Sequence, residues 1–382
     1  MSWFTSRESK AQVVVNKADT RMCRILQRCP LHADPYVPTW WCSDMWANVA
    51  MLMFKEKLSE GSVQFRRDTI MRPDGGEVSV DWANDEATKS LPVDAPVLGI
   101  LHTITGSSSA QSGFIKYAAS RGWRSCVLNR RGHSGMPLRV PSFNLMGNVD
   151  DTVAMVDCIR KARPSSFIAL AGISAGSGQV VSYIGREGKN VRVDAAASLC
   201  PAWDISKSFE HLNERYPSMD KYVTGEVQQF FLKSLANQDA LASMPDAVAA
   251  SLAATTLGDF LRAAVPFAGS QNIDQYFKEH NPMVHFKGNT IPCFVLNSFD
   301  DFLCVKENIR KDLLETGVKN YVGLITDEGS HCAYTEGTLG EGNYMWRKTL
   351  DFFDAVRADR EKAHNVCGQS CFSFFPCARR ST

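Results

Sequence analysis

Serine, aspartate and histidine stand in this chain at positions where they could act as one catalytic relay. Ser174 lies in Gly172-Ile173-Ser174-Ala175-Gly176, after an apolar run of strand length at 167–171 and before a stretch of helical patterning. A serine hydroxyl is a weak nucleophile, so it needs exposure and a base to take its proton. A G-x-S-x-G turn between strand and helix supplies the exposure. The sharp turn strains the serine backbone, and glycine on either side relieves the crowding. The helix that follows aims its first N–H groups at negative charge developing on an acyl oxygen.

The base and its orienting carboxylate come later in the chain. Ser298-Phe299-Asp300-Asp301-Phe302 follows the apolar run 291–297, and Asp327-Glu328-Gly329-Ser330-His331 follows the run 320–326. Of the eight histidines, His331 is the one placed after the last core strand in a glycine-containing loop. A neighbouring carboxylate would fix its tautomer and stabilise the imidazolium. Asp300 and Asp301 are both candidates. A turn into helix from Phe302 favours Asp301 and leaves Asp300 as a loop-bracing acceptor. The order Ser174, Asp301, His331 is the order of the α/β-hydrolase fold. An oxyanion would need two N–H donors. Ala175 offers one. The loop Leu101-His102-Thr103-Ile104 offers the other, with Ile104 preferred and Thr103 the alternative.

The elements needed to hold these residues are legible as alternating strands and helices. Buried-type strands are expected at 96–101, 125–129, 167–171, 193–199, 291–297 and 320–326, with helices between them, such as 147–163 and 303–316. Such alternation predicts an α/β fold, an α/β-hydrolase-type, mostly parallel central sheet covered by helices, with sites at the carboxyl ends of its strands. Two alternating runs around Pro73-Asp74-Gly75-Gly76 predict an antiparallel hairpin over 63–83. The expected divisions are an N-terminal surface arm (1–35), the first part of the core (36–203), a helical cap insertion (204–287), the second part of the core (288–358) and a Cys/Phe-rich tail (359–382). Trp40, Trp41 and Trp46 are expected to pack as aromatic core, the alternative being the wall of a lipid entrance. The C-terminal helix is expected over about 342–358.

Composition bounds the function. Of 382 residues 44% are hydrophobic and 22% charged, and the formal net charge is +1. That is ordinary globular composition and gives no reason to expect a nucleic-acid partner. Arg66-Arg67, Arg130-Arg131 and Arg379-Arg380 are local basic pairs, each expected to be solvated surface. Twelve cysteines lack paired spacing, and Cys126, Cys200 and Cys293 lie in apolar runs, which suits buried reduced thiols of an intracellular protein. No signal-peptide core and no membrane span is expected, so the expected location is cytoplasmic or peripherally membrane-associated, not secreted. Cys367, Cys371 and Cys377, beside phenylalanines and a basic end, suit reversible acylation and peripheral membrane contact better than zinc, with a disordered tail an equal alternative.

Taken together, these motifs resemble the type 4 family of α/β-hydrolase-domain proteins, a group of lipid esterases, phospholipases and medium-chain ethyl ester synthases. The resemblance runs from about residue 36 to 355. It rests on Pro38-Thr39-Trp40-Trp41, Pro73-Asp74-Gly75-Gly76 with Asp81-Trp82, and Ile104-Thr105-Gly106-Ser107. It continues through Asn129-Arg130-Arg131-Gly132, the turn around Ser174, Asn297-Ser298-Phe299-Asp300-Asp301 and Gly329-Ser330-His331. It implies a Ser174, Asp301, His331 triad. His102-Thr103 stands where that family has Pro-Gly, and Ala175 where it has Met. The expected activity is hydrolysis of fatty-acid or phospholipid carboxylic esters through an acyl-enzyme, with no metal or organic cofactor. The alternatives are acyl transfer on the same triad and non-catalytic binding on a hydrolase fold.

Overall fold

The computed structural model describes residues 8–29, 31, 34–42 and 44–372, with side chains to residue 362. Nine strands form one sheet: β1 (Ala11–Val15), β2 (Phe65–Met71), β3 (Glu77–Ala83), β4 (Val97–Leu101), β5 (Arg124–Asn129), β6 (Ile168–Ile173), β7 (Ala195–Leu199), β8 (Cys293–Ser298) and β9 (Tyr321–Thr326). Their order is β1-β9-β8-β7-β6-β4-β5-β3-β2. The six strands from β9 to β5 run parallel, while β1 and β3 join antiparallel at either side. This is the expected α/β-hydrolase fold, with the hairpin β2–β3 closing one edge.

The parallel strands are uncharged along the stretches that cross the core because both faces are covered. Leu98, Ile100, Ala169 and Ala171 point to one face, where Phe114, Trp123 and the helix Tyr344–Phe372 pack with Leu350, Phe352 and Phe353. Val97, Leu101, Ile168 and Leu170 point to the other, against Met155, Ile159, Val180 and Ile184. The two-residue period of a strand produces this division. Between β7 and β8 the chain is helical from Ile205 to Gly288. Phe209, Phe231, Phe260 and Phe267 of this insertion form a separate apolar cluster with Leu138, Phe143, Leu145 and Phe302.

Several expectations differ from what is found. Residues 9–16 are not a surface arm: β1 pairs with β9, and Asp19 caps the next helix while accepting the Asn320 N–H. Trp40, Trp41 and Trp46 are exposed rather than core. Arg130 is buried, and Arg131 bridges Asp74 of the hairpin tip to Asp151, so that pair is not solvated surface. The segment 303–316 forms short turns rather than a continuous α-helix, because the backbone leaves the helical region at Val305 (ψ 122°) and Ile309 (ψ 111°). The last helix runs past the expected end at 358 to Phe372. Cys126, Cys200 and Cys293 are buried free thiols. The Cys367, Cys371 and Cys377 side chains and Arg379-Arg380 lie outside the described residues. No described helix is long and apolar enough to cross a membrane.

Candidate active site

Ser174 stands between β6 and the helix Ala175–Glu187, with φ 54° and ψ −116°. A non-glycine residue adopts that conformation only where its surroundings enforce it. The enforcement is steric. A side chain at Gly172 would place its Cβ 2.1 Å from the Gly176 carbonyl oxygen, and one at Gly176 would place it 2.1 Å from the Leu101 carbonyl oxygen. Strand β6, helix and strand β4 therefore meet at backbone distance, and the serine is pushed outward at the carboxyl end of the sheet.

His331 arrives from the loop after β9 and Asp301 from the loop after β8. Ser174 Oγ lies 2.8 Å from His331 Nε2. On the ring's far side, His331 Nδ1 donates to Asp301 Oδ2 at 2.9 Å and Oδ1 at 3.0 Å. Asp301 is held by the Leu303 and Cys304 N–H groups, each at 2.8 Å. Asp300 does different work: its Oδ1 accepts from Ser330 N–H at 2.8 Å and its Oδ2 from Gly329 N–H at 3.3 Å. It braces the histidine loop, in which Ser330, Cys332 and Tyr334 all have positive φ. Burial pushes the Asp300 carboxyl and the Cys304 thiol up from their ordinary values. Asp301, Cys304 and His331 form a group of three possible metal-ligating side chains among the described residues. Their chemistry suits a hydrogen-bond relay better, since His331 Nδ1 faces the carboxylate at hydrogen-bond distance and the thiol is held protonated.

Ile104 and Ala175 line the same cavity as Ser174 and His331, of about 50 Å³, walled by Ile205, Phe209 and Leu257 of the helical insertion. Thr103, the alternative, lines a separate cavity rather than this one. The loop is fixed from behind by a buried basic cluster that the sequence did not reveal. Arg130 Nη2 donates to the Thr103 carbonyl and, at 3.4 Å, to that of Ile104. His102 Nδ1 lies 2.9 Å from the Thr103 carbonyl, and His133 Nε2 lies 2.9 Å from the Ile104 carbonyl. In a trans peptide the carbonyl and the following N–H point in opposite directions. Tying the Thr103 carbonyl toward Arg130 therefore turns the Ile104 N–H away from it. The one available signal was position: Asn129-Arg130-Arg131-Gly132 follows a buried strand at the same sheet end as Ser174.

Burial leaves this cluster sensitive to acid. Burial first, then the Arg130 charge, holds the His133 imidazole down at about 3 and that of His102 well below its usual value. Burial also lowers the Arg130 guanidinium to about 9. Below about pH 6.5 the unfolded chain takes up protons that these two rings refuse, so the folded state loses stability as pH falls. The expected slope is about 1.4 kcal/mol per pH unit for each ring down to its folded pKa. Denaturant unfolding between pH 7 and 4.5 checks this, and His133→Gln is expected to remove about 1.4 kcal/mol per pH unit from the slope measured for the unaltered protein.

Residues 96–260 match the family described as the alpha/beta hydrolase fold. The human protein named phospholipase ABHD3 is 27% identical over 366 residues, covering 93% of this chain and 87% of the relative. Protein abhd-3.2 of Caenorhabditis elegans is 25% identical over 361 residues, covering 91% and 92%. A Saccharomyces cerevisiae protein named monoacylglycerol lipase is 24% identical over 328 residues, covering 72% of each chain. Among solved structures, the Pyrococcus furiosus esterase PF2001 superposes with a TM-score of 0.49 at 14% identity, covering 79% of this chain and 92% of its own.

Proposed function

We propose, from the premise that the chain belongs to the α/β-hydrolase superfamily and is kin to the ABHD-type lipid esterases, that it is a serine hydrolase of carboxylic esters whose substrates are lipids. The observation that carries the reading is the continuous relay from Ser174 Oγ through the His331 ring to Asp301, with the serine in a strained turn. Ser174 Oγ attacks the acyl carbonyl carbon while His331 Nε2 takes its proton. Asp301 fixes the ring's tautomer and stabilises the imidazolium. The Ala175 and Ile104 N–H groups receive the charge that develops on the acyl oxygen. Collapse of that intermediate expels the alcohol, which takes the proton from His331. Water, deprotonated by the same ring, then releases the acid. Arg130, His102 and His133 act behind Ile104 as positioning residues.

The test is covalent. A fluorophosphonate forms a bond from phosphorus to the serine oxygen and loses fluoride only where the serine is activated. The purified protein is expected to be labelled at Ser174, and Ser174→Ala to remain unlabelled. No labelling of a folded wild-type protein would overturn the reading in favour of a binding role. Turnover of a soluble acyl ester in the presence of an added alcohol separates hydrolysis from acyl transfer by its product.

A further inference from the structure

Two cavities flank the site, and the residues of the site form the partition between them. Ile104, Ser174 and His331 face the small cavity under the helical insertion. Their sequence neighbours Thr103, Ile173 and Cys332 face a second cavity of about 610 Å³. At three points, then, a single thickness of chain separates the larger space from the reacting groups. The larger cavity opens along the helix Met45–Ser59. Phe54, Leu58 and Leu339 line its mouth, yet are 61%, 74% and 75% exposed. Trp46 and Met53 extend the apolar face along the same helix, and Trp41, whose Nε1 donates to the Thr338 carbonyl, extends it past Leu339. Lys116 stands exposed beside it, as does Lys57, which pairs with Glu60 at 2.7 Å.

A water-soluble substrate gives no reason for such a face. Large apolar side chains around a cavity mouth, with tryptophans among them and cations alongside, match the boundary between lipid headgroups and acyl chains. We propose that this face docks on a lipid bilayer and that the cavity behind it receives an acyl chain drawn from that bilayer. The inference rests on the ester-hydrolase reading for its substrate class. It differs in what it assigns: the face that meets the bilayer and the cavity that holds an acyl chain beside the site.

Binding is measured with the Ser174→Ala protein, so that no turnover alters the membrane, by co-sedimentation with vesicles of phosphatidylcholine and phosphatidylserine. Trp46→Ser combined with Met53→Ser removes apolar contacts that line neither cavity, and is expected to weaken vesicle binding by about tenfold or more. In the Ser174 protein the same pair is expected to lower turnover of vesicle lipid without a comparable loss on a monomeric soluble ester. Vesicles with brominated acyl chains are expected to quench Trp346, a cavity-lining ring, so that Trp346→Phe removes part of the quenching. Unchanged vesicle binding by the double variant would overturn the docking surface. Loss of a concentration-dependent dimer instead would do so too, by assigning the face to a second copy. Equal quenching with and without Trp346 would overturn the acyl-chain cavity. A wild-type protein that binds vesicles but hydrolyses neither ester would overturn the hydrolase reading and leave the docking result standing.

Discussion

Replacing His331 by alanine is expected to lower kcat on a soluble ester by about 10⁶-fold, and replacing Asp301 by asparagine by about 10⁴-fold. His331 contacts the nucleophile at 2.8 Å, so its loss removes, among the described residues, the only ring positioned to take the serine proton. Asparagine keeps the shape of Asp301 but presents an amide that favours the wrong tautomer and leaves the imidazolium without a counter-charge. Asp300→Asn is the informative contrast. Its carboxylate accepts the Ser330 and Gly329 N–H groups rather than touching the ring, and an amide oxygen can still accept one of them. Its effect is expected to stay within about tenfold on kcat and to appear mainly as lost stability. Steady-state kinetics of the three variants, with denaturant curves alongside, decides the matter. A 10⁴-fold loss in Asp300→Asn with Asp301→Asn active would exchange the two roles.

Gly176→Ala is expected to have a large structural effect for a single methyl group at the site. Its new Cβ would stand 2.1 Å from the Leu101 carbonyl oxygen and 2.6 Å from the carbon that bears it. Both atoms belong to the backbone of β4, which is buried and paired on both sides, so neither can swing aside. The helix must lift from the strand end, and Ser174 and the Ala175 N–H move with it. The expected cost is about 3 kcal/mol or more of unfolding free energy, together with loss of fluorophosphonate labelling. Gly225→Ala, in the helix Pro217–Val227 where a Cβ would meet nothing within 4 Å, is the control. It is expected to be neutral or to stabilise by up to about 1 kcal/mol. Equal denaturant midpoints for the two variants would refute the steric account.

How much of this was legible in the sequence depended on how local the cause was. The parallel strands announce themselves because burial on both faces demands apolar residues throughout, and the turn around Ser174 because glycine is forced on both sides of it. Strand β1 was hidden: it is a short edge strand with only Val14 fully buried, and its partner is distant in the sequence. The segment after Asp301 reads as a helix in the sequence, but its backbone leaves the helical region at Val305 and Ile309, which no local pattern announces. Arginine reads as surface by default, so the burial of Arg130 could be learned only from what surrounds it. The tryptophans near the N-terminus posed the reverse problem. Their type suggests a core, and only the packing reveals an outward face.

The pairing of β1 with β9 also bears on how the chain is made. Asp19 accepts the N–H of Asn320, 301 residues further on, and the Asp327 N–H donates back to the Lys10 carbonyl. During synthesis β1 therefore has no partner until β9 has emerged. The sheet edge that carries the His331 loop closes only once β9 is available to β1, a long-range pairing whose closure entropy is paid before its contacts form. Until then a valine-rich strand and the unpaired edge of β9 are both open to other chains, which makes the nascent protein a natural client for chaperones that hold extended apolar segments.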